Sequence, residues 1–385
     1  MSSRDLSVAW LISRLKPRTL MRGYSWWLCC LLWLLLIAPA QAVVELRVAI
    51  EENVSRLQVG SSTKALIRNG AGQKVGELEA MEGLYANGNG TGVALAQWSS
   101  SQLWIEPTGE GFVWIGDRWY RGRTQLVSQT QGLTAVNHVN LEHYLYSVIG
   151  AEMSPSWPLE ALKAQAVAAR SYALHKTHTS PTRLYDLDDT VTFQVYKGIG
   201  TEANTTHQAV NATAGQVMTY NGKIILAVFH SASGGHTENV EDIWSNPLPY
   251  LRGVPDYDMG APVYEWTKYF SRREISKRIS GVGNVISMTA ERTTPRGRVI
   301  TMNVEGDRGR RSISGNDLRK ALGLRSRLFT VSPTAEGFQV NGRGFGHGLG
   351  LSQWGAYNLA AQGLNYQQIL VYYYQGATLA QLQPQ

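Results

Sequence analysis

Cysteine is nearly missing from this 385-residue chain: the two present, Cys29 and Cys30, stand side by side within the first 42 residues. The remainder therefore has no disulfide framework and no thiolate metal site, and must be held by its core. There is no run long enough to be a convincing membrane span. The apolar stretch Trp26 to Ala38 has thirteen residues, against the ~20 that a bilayer requires. No His-Glu-x-x-His occurs, so His175-x-x-His178 makes a weak case for a metal. A large charge excess is lacking as well. The formal charge is +7, but the first 42 residues hold five of the 36 Lys and Arg and one of the 29 Asp and Glu, which leaves +3 for the rest. That is no footprint for nucleic acid.

What the first 42 residues do contain is the pattern of an export signal. Arg14, Lys16, Arg18 and Arg22 precede the apolar run, and Ala40-Gln41-Ala42 offers a small-x-small cleavage site. The mature chain is then expected outside the cytoplasm, in the periplasm or cell wall. An uncleaved leader acting as an anchor is the other reading, and the only route to a membrane. The two cysteines sit early in the apolar run rather than at its end, which argues against a lipoprotein anchor.

Beyond the leader, residues 43–123 read as short antiparallel strands joined by tight turns at Asn69-Gly70, Asn87-Gly88-Asn89-Gly90 and Gly109-Glu110-Gly111. Strand character resumes from Thr124 to Val139. A helix is expected from Pro158 to His175, where Leu162, Ala166, Ala169 and Ala173 form a small-residue stripe flanked by Gln165 and Arg170. Asp186–Tyr196 and Gln216–Ser231 read as strands, with a helix over Glu202–Thr213 between them. Ser271–Ile279 and Asn316–Leu322 read as short helices, Val285–Glu305 as a hairpin turning at Pro295-Arg296-Gly297, and Tyr357–Gln362 as a last helix before Tyr366–Tyr374. The fold class this implies is α+β: a mixed, mainly antiparallel β core with a few packed helices, preceded by a β-rich front region. The divisions expected are 1–42, 43–123 and 124–385, with 267–332 a small α+β insertion.

Three stretches carry chemistry. Glycines alternate at 342, 344, 346, 348 and 350; if the stretch is extended, one face is bare and the other bears Arg343, Phe345, His347, Leu349 and Leu351. A bare face marks close approach of a backbone or a ligand, or else a bend that closes a barrel. Neither a phosphate-binding loop nor a dinucleotide fingerprint can be laid on this spacing. Glu152 lies among Val148, Ile149, Ala151 and Met153, company that disfavours its ionised form and suits a general acid; a capping or salt-bridged glutamate is the structural alternative. Phe229 to Asn239 gathers Ser231, Ser233, His236, Thr237 and Glu238 on a glycine turn, either a sugar- or peptide-binding loop or a self-bonded turn. The Gly-x-Ser-x-Gly elbow that Ser231 would need as a nucleophile is not met. Trp157, Trp244, Trp354 and Tyr372–Tyr374 could stack on sugar rings or simply fill the core.

Together, Val139–Leu145, Gly150–Met153, Ala161–Tyr172, Phe193–Tyr196, Ser231–Asp242, Gly342–Ala356 and Tyr373-Tyr374-x-Gly376 resemble the stage II sporulation protein D and amidase-enhancer family, from about Thr124 to the C-terminus. The resemblance implies a lytic transglycosylase acting on peptidoglycan glycan strands that have lost their stem peptides, with Glu152 as the catalytic glutamate and no cofactor. It makes Gln194, Tyr196, Ser231, Ser233, Thr237, Glu238, His347, Ser352 and Gln353 the candidates for holding the sugar. The family's other name implies a cell-wall amidase as a further partner, and with it a non-catalytic alternative: a peptidoglycan-binding enhancer of that amidase. Some relatives bind zinc through two cysteines and a histidine near the Gln-Val-Tyr motif. Here Asp188 and Phe193 stand in the cysteine places, so no zinc is expected, and Asp186, Asp188 and Asp189 are expected to tie that loop down differently.

Overall fold

The computed structural model describes residues 44–383 except 89, 180–183, 191–192 and 245. The expected leader, with both cysteines, lies outside the described residues. The fold is α+β, with antiparallel sheets predominating.

Alternating strands build the front of the molecule. The first, Glu45–Val54, pairs antiparallel with Gly132–Asn140 and parallel with Leu187–Asp188, so one seven-stranded sheet crosses position 123 and joins front and rear sequence. A six-stranded sheet completes this region. Their inward residues, among them Leu46, Val59, Ile67, Leu103 and Leu126, belong to one apolar core with the helices that follow.

Helix α1 (Leu141–Glu152) begins where the strand-like Val139 run ends. Asn140 caps it, its Oδ1 accepting from the backbone N–H of Glu142 and His143 at 2.8 and 3.3 Å. Leu141, Tyr144, Leu145, Val148 and Ile149 form its buried face at helical spacing. Helix α2 (Leu159–Thr179) buries the small-residue stripe expected of it, and also Arg170, which is wholly inside. Arg170 holds both carboxylate oxygens of Glu142 and donates to the Gln216 carbonyl at 3.0 Å, so it is an internal tie between α1, α2 and the strand at 216–220. Helix α3 (Asn204–Ala212) packs against both α1 and α2.

Residues Trp266 to Val340 have a second, separate apolar core. It lies within strands Glu265–Ser271, Phe329–Pro333 and Gly337–Arg343, the hairpin Val285–Thr293 with Val299–Gly306, the added strand Gly309–Ser314, and helices α4 (Arg272–Arg278) and α5 (Gly315–Leu322). The chain then returns to the first core through α6 (Gln353–Ala361) and α7 (Tyr366–Tyr373).

Three expected elements differ. Among the described residues of Asp186–Tyr196, strand is found only at Leu187–Asp188, because the Asp188 carboxylate accepts the N–H and hydroxyl of Thr190 at 2.9 and 2.6 Å and turns the chain. Gln216–Ser231 breaks into Gln216–Tyr220, Lys223–Ile224 and Phe229–His230; Asn221 and Gly222, at φ 49 and 74°, make the first break a tight hairpin turn. The alternating glycines are not one strand either. The strand ends at Arg343, and glycines 344, 346, 348 and 350 all take positive φ.

Candidate active site

Glu152 is the last residue of α1, half-buried, and stands on the wall of a cavity of about 220 Å³. The other lining residues are Tyr172 from α2, Phe193 and Val195 from the irregular 189–197 segment, Val228 and Phe229, Trp244 and His347. Burial pushes the Glu152 carboxyl above its ordinary range. Hydrogen bonds from the Val195 N–H to Oε1 (3.1 Å) and from the Gln353 amide to Oε2 (3.3 Å), with the charge of Lys197, oppose that rise without cancelling it. No ion pair of Glu152 occurs among the described residues. The result is a carboxyl on a cavity wall whose ionised form is disfavoured relative to an ordinary glutamate.

The glycine segment places the opposite wall. Leu351 and Ser352 pair in parallel with Phe229 and His230, and Ala232 bridges Phe345, so two motifs more than a hundred residues apart are stitched together. Close approach is what the glycines permit. A Cβ on Gly348 would lie 2.4 Å from the Arg298 guanidinium, and one on Gly344 would lie 2.6 Å from the Ala232 carbonyl. His347, delivered to the cavity by this coil, is kept neutral: burial, the neighbouring His230 and nearby arginines hold its imidazole well below its ordinary value. Its Nε2 donates to the Phe229 carbonyl at 2.9 Å and its Nδ1 accepts from the Leu349 N–H at 3.0 Å. With both nitrogens engaged, it presents a ring face rather than a proton. Trp244, 41% exposed, stands 6.0 Å from that ring, centroid to centroid.

Of the residues singled out in the sequence, Glu152, Gln353, His347 and Trp244 meet here. Ser352 sits one residue away, buried, and its hydroxyl caps α6 by accepting from the Gly355 N–H. Ser231 is half-buried and accepts the Trp354 N–H through its carbonyl. The others are turned into the protein, where polar atoms need protein partners. Gln194 bonds Tyr144 and the Ala169 carbonyl, and Tyr196 donates to Asn137. Ser233 donates to Asp256, and Thr237 exchanges hydrogen bonds with the backbone of Val254. Glu238 accepts from Thr294 at 2.8 Å and lies 3.3 Å from Arg298, both side chains being 1% exposed. A supporting shell, rather than direct contact with a ligand in the cavity, is the place these five occupy. Tyr172, Phe193 and the Val195 N–H were not singled out as site groups by reading the residues; each stands inside a motif but is apolar or backbone in character.

The loop near Gln194 is tied as a carboxylate-rich segment. Both oxygens of Asp186 bind Arg47, at 2.6 and 3.2 Å. Asp189 is pushed up to about 6, mainly by burial. His175 and His178 donate to the Ile224 and Leu174 carbonyls. Trp157 and Trp354 pack on each other and on Tyr357, away from the cavity lining.

Comparison with known proteins shows which family the chain is similar to. The model of the stage II sporulation protein family matches residues 129–220, and that of a domain of unknown function matches 256–350. The chain is 34% identical over 280 residues to an uncharacterized protein of Brachyspira hyodysenteriae, covering 71% of this chain and 75% of that one. It is 34% identical over 267 residues to stage II sporulation protein D of Bacillus subtilis, covering 64% and 76%. To the amidase enhancer of the same organism it is 32% identical over 290 residues, which is 61% of this chain but 40% of that longer protein. The chain belongs to the stage II sporulation protein D family.

Proposed function

We propose that this protein is an exported lytic transglycosylase of peptidoglycan, cleaving between N-acetylmuramic acid and N-acetylglucosamine in strands without stem peptides. The observation that carries this reading is the Glu152 carboxyl: burial favours its protonated form, no cation pairs with it among the described residues, and it faces a cavity walled by Tyr172, Phe193, Trp244 and His347. Aromatic walls suit sugar faces. Protonated Glu152 gives its proton to the glycosidic oxygen as the bond to the muramic C1 breaks with its electron pair leaving on that oxygen. The carboxylate so formed takes the proton of the muramic C6 hydroxyl, whose oxygen closes on the oxocarbenium-like C1. The product is a 1,6-anhydro end, and Glu152 is protonated again. Ordinary glycosidases place a second carboxylate ~5–9.5 Å from the first; among the described residues no second carboxylate lines this cavity, which favours attack by the sugar's own hydroxyl. The Gln353 amide and Val195 N–H hold the carboxylate form while it waits.

Peptide-free strands incubated with wild-type and Glu152→Gln protein, followed by mass analysis, test this: anhydro ends from the wild type alone are expected, and equal release from both sinks it. Similarity to the amidase enhancer favours a second reading, in which the protein binds peptidoglycan and stimulates a separate amidase. Stem-peptide release by an added amidase, unchanged by Glu152→Gln, would be its mark.

A further inference from the structure

Charge is unevenly divided along this chain. Residues 256–350 hold 16 Lys or Arg against nine Asp or Glu, whereas 43–255 and 351–385 together hold 15 against 19. The basic part is the one with its own core, and it carries a cavity of about 490 Å³, larger than that at Glu152. Arg296, at the hairpin turn, and Arg343, at the end of the strand Gly337–Arg343, stand on its wall. Both are exposed, and neither side chain has an ion pair or hydrogen bond among the described residues. Unpaired guanidinium groups on a concave wall are fitted to a planar, bidentate anion. Neutral polar residues line the same cavity, namely Thr267, Thr330 and Asn341, with Thr267 donating to the Asn341 Oδ1 at 2.9 Å. Among the described residues Glu265 is the single carboxylate of the lining. Two cations beside one anion, among hydroxyls and an amide, match a ligand with one carboxylate on a sugar better than a polymer with a phosphate on every unit.

The two cavities are neighbours along the chain. Arg343 lines the one and His347 the other. Four residues span at most ~14 Å when fully extended, and the positive φ of Gly344 and Gly346 shortens that reach.

We propose that this second cavity is a subsite for the free lactyl carboxylate of a peptide-free N-acetylmuramic acid, further along the strand that enters the Glu152 cavity, with Arg296 and Arg343 as its anion contacts. It rests on the glycan-strand reading above and adds the basis of selectivity. A stem peptide is joined through that very carboxyl, so its presence converts the anion to a neutral amide and adds bulk. A peptide-free strand alone offers the charge.

The test uses full-length protein carrying Glu152→Gln, so that bound strands stay intact. Affinities are measured for peptide-free alternating GlcNAc–MurNAc oligosaccharide and for chitooligosaccharide of equal length, which lacks the lactyl group. The expected result is roughly tenfold or greater preference for the peptide-free strand, as charge-assisted hydrogen bonds imply. That preference is lost in Arg296→Gln/Arg343→Gln, while affinity for chitooligosaccharide is unchanged. Equal binding of the two sugars by the parent, or an undiminished preference in the double variant, overturns the subsite. So does polyphosphate that, matched for charge, displaces the strand more strongly than free strand does. The two readings fail separately. If protein with Glu152 intact releases no anhydro ends yet the arginine-dependent preference persists, the Glu152 reading falls and the subsite stands. If anhydro ends form but the preference is missing, the reverse holds.

Discussion

Glu152 and Glu238 are both carboxyls pushed above their ordinary range by burial, and they stand in opposite surroundings. Glu238 is sealed beneath the glycine coil with Arg298, a guanidinium brought down to about 10 by its own burial, and with the Thr294 hydroxyl. Glu152 has backbone and amide donors but, among the described residues, no ion-pair partner, and it opens on a cavity. Apolar surroundings alone therefore do not make an acid. What separates a proton donor from an internal tie is a free path to a ligand and the absence of a counter-ion that would hold the charged form.

Exchanging these properties tests the contrast. The largest effect is expected from Glu152→Gln, which should lower release of anhydro ends by about 10²–10⁴-fold with sugar affinity retained. A loss below tenfold would put Glu152 with Glu238 among structural groups. Wild-type activity should also fall as pH rises through the raised Glu152 value, since the donor must be protonated; a profile flat from acid to neutral pH argues against it. Next, Glu238→Gln leaves Arg298 buried without its anion and should cost about 3–5 kcal/mol in urea unfolding, with part recovered by adding Arg298→Met. An effect of a few tenths would show the pair to be looser than its geometry. Third, Trp244→Ala removes an aromatic wall worth about 0.5–1.5 kcal/mol, so KM should rise a few-fold with kcat nearly kept; a fall confined to kcat contradicts a binding role. The smallest effect concerns stability. Because the folded state raises the Glu152 pKa, the wild type loses stability as pH climbs from the ordinary carboxylate value through the raised one, and Gln at this position does not. Glu152→Gln should thus melt roughly a degree or two higher at neutral pH and match the wild type in acid. A lower melting point at neutral pH would mean that the carboxylate form is the one the fold prefers.

Much of the frame is legible in local pattern. The small-residue stripe foretells α2, Pro295-Arg296-Gly297 foretells the hairpin turn, and the apolar company of Glu152 foretells its shifted carboxyl. Helix α1 is harder to read, since the strand-like run through Val139 flows into it with Asn140 as its only punctuation. The alternating glycines mislead for a physical reason: period two is a strand pattern only when φ is negative, and glycine alone is free to leave it. The polar loop at 231–238 shows the residue types without the direction of any side chain. Ser233, Thr237 and Glu238 face inward because Asp256, the Val254 backbone and Arg298 approach from other parts of the chain.

By itself the sequence pointed to the family, the α+β class and the apolar setting of the carboxyl at 152, all of which depend on residue types and short-range order. Tertiary structure alone decided that Gln353 reaches Glu152 across 201 positions, and that His347 lends the cavity its ring while its nitrogens are tied to backbone. The cause is the parallel pairing of Phe229–His230 with Leu351–Ser352. Such a register is a property of two distant segments meeting, and neither segment contains it.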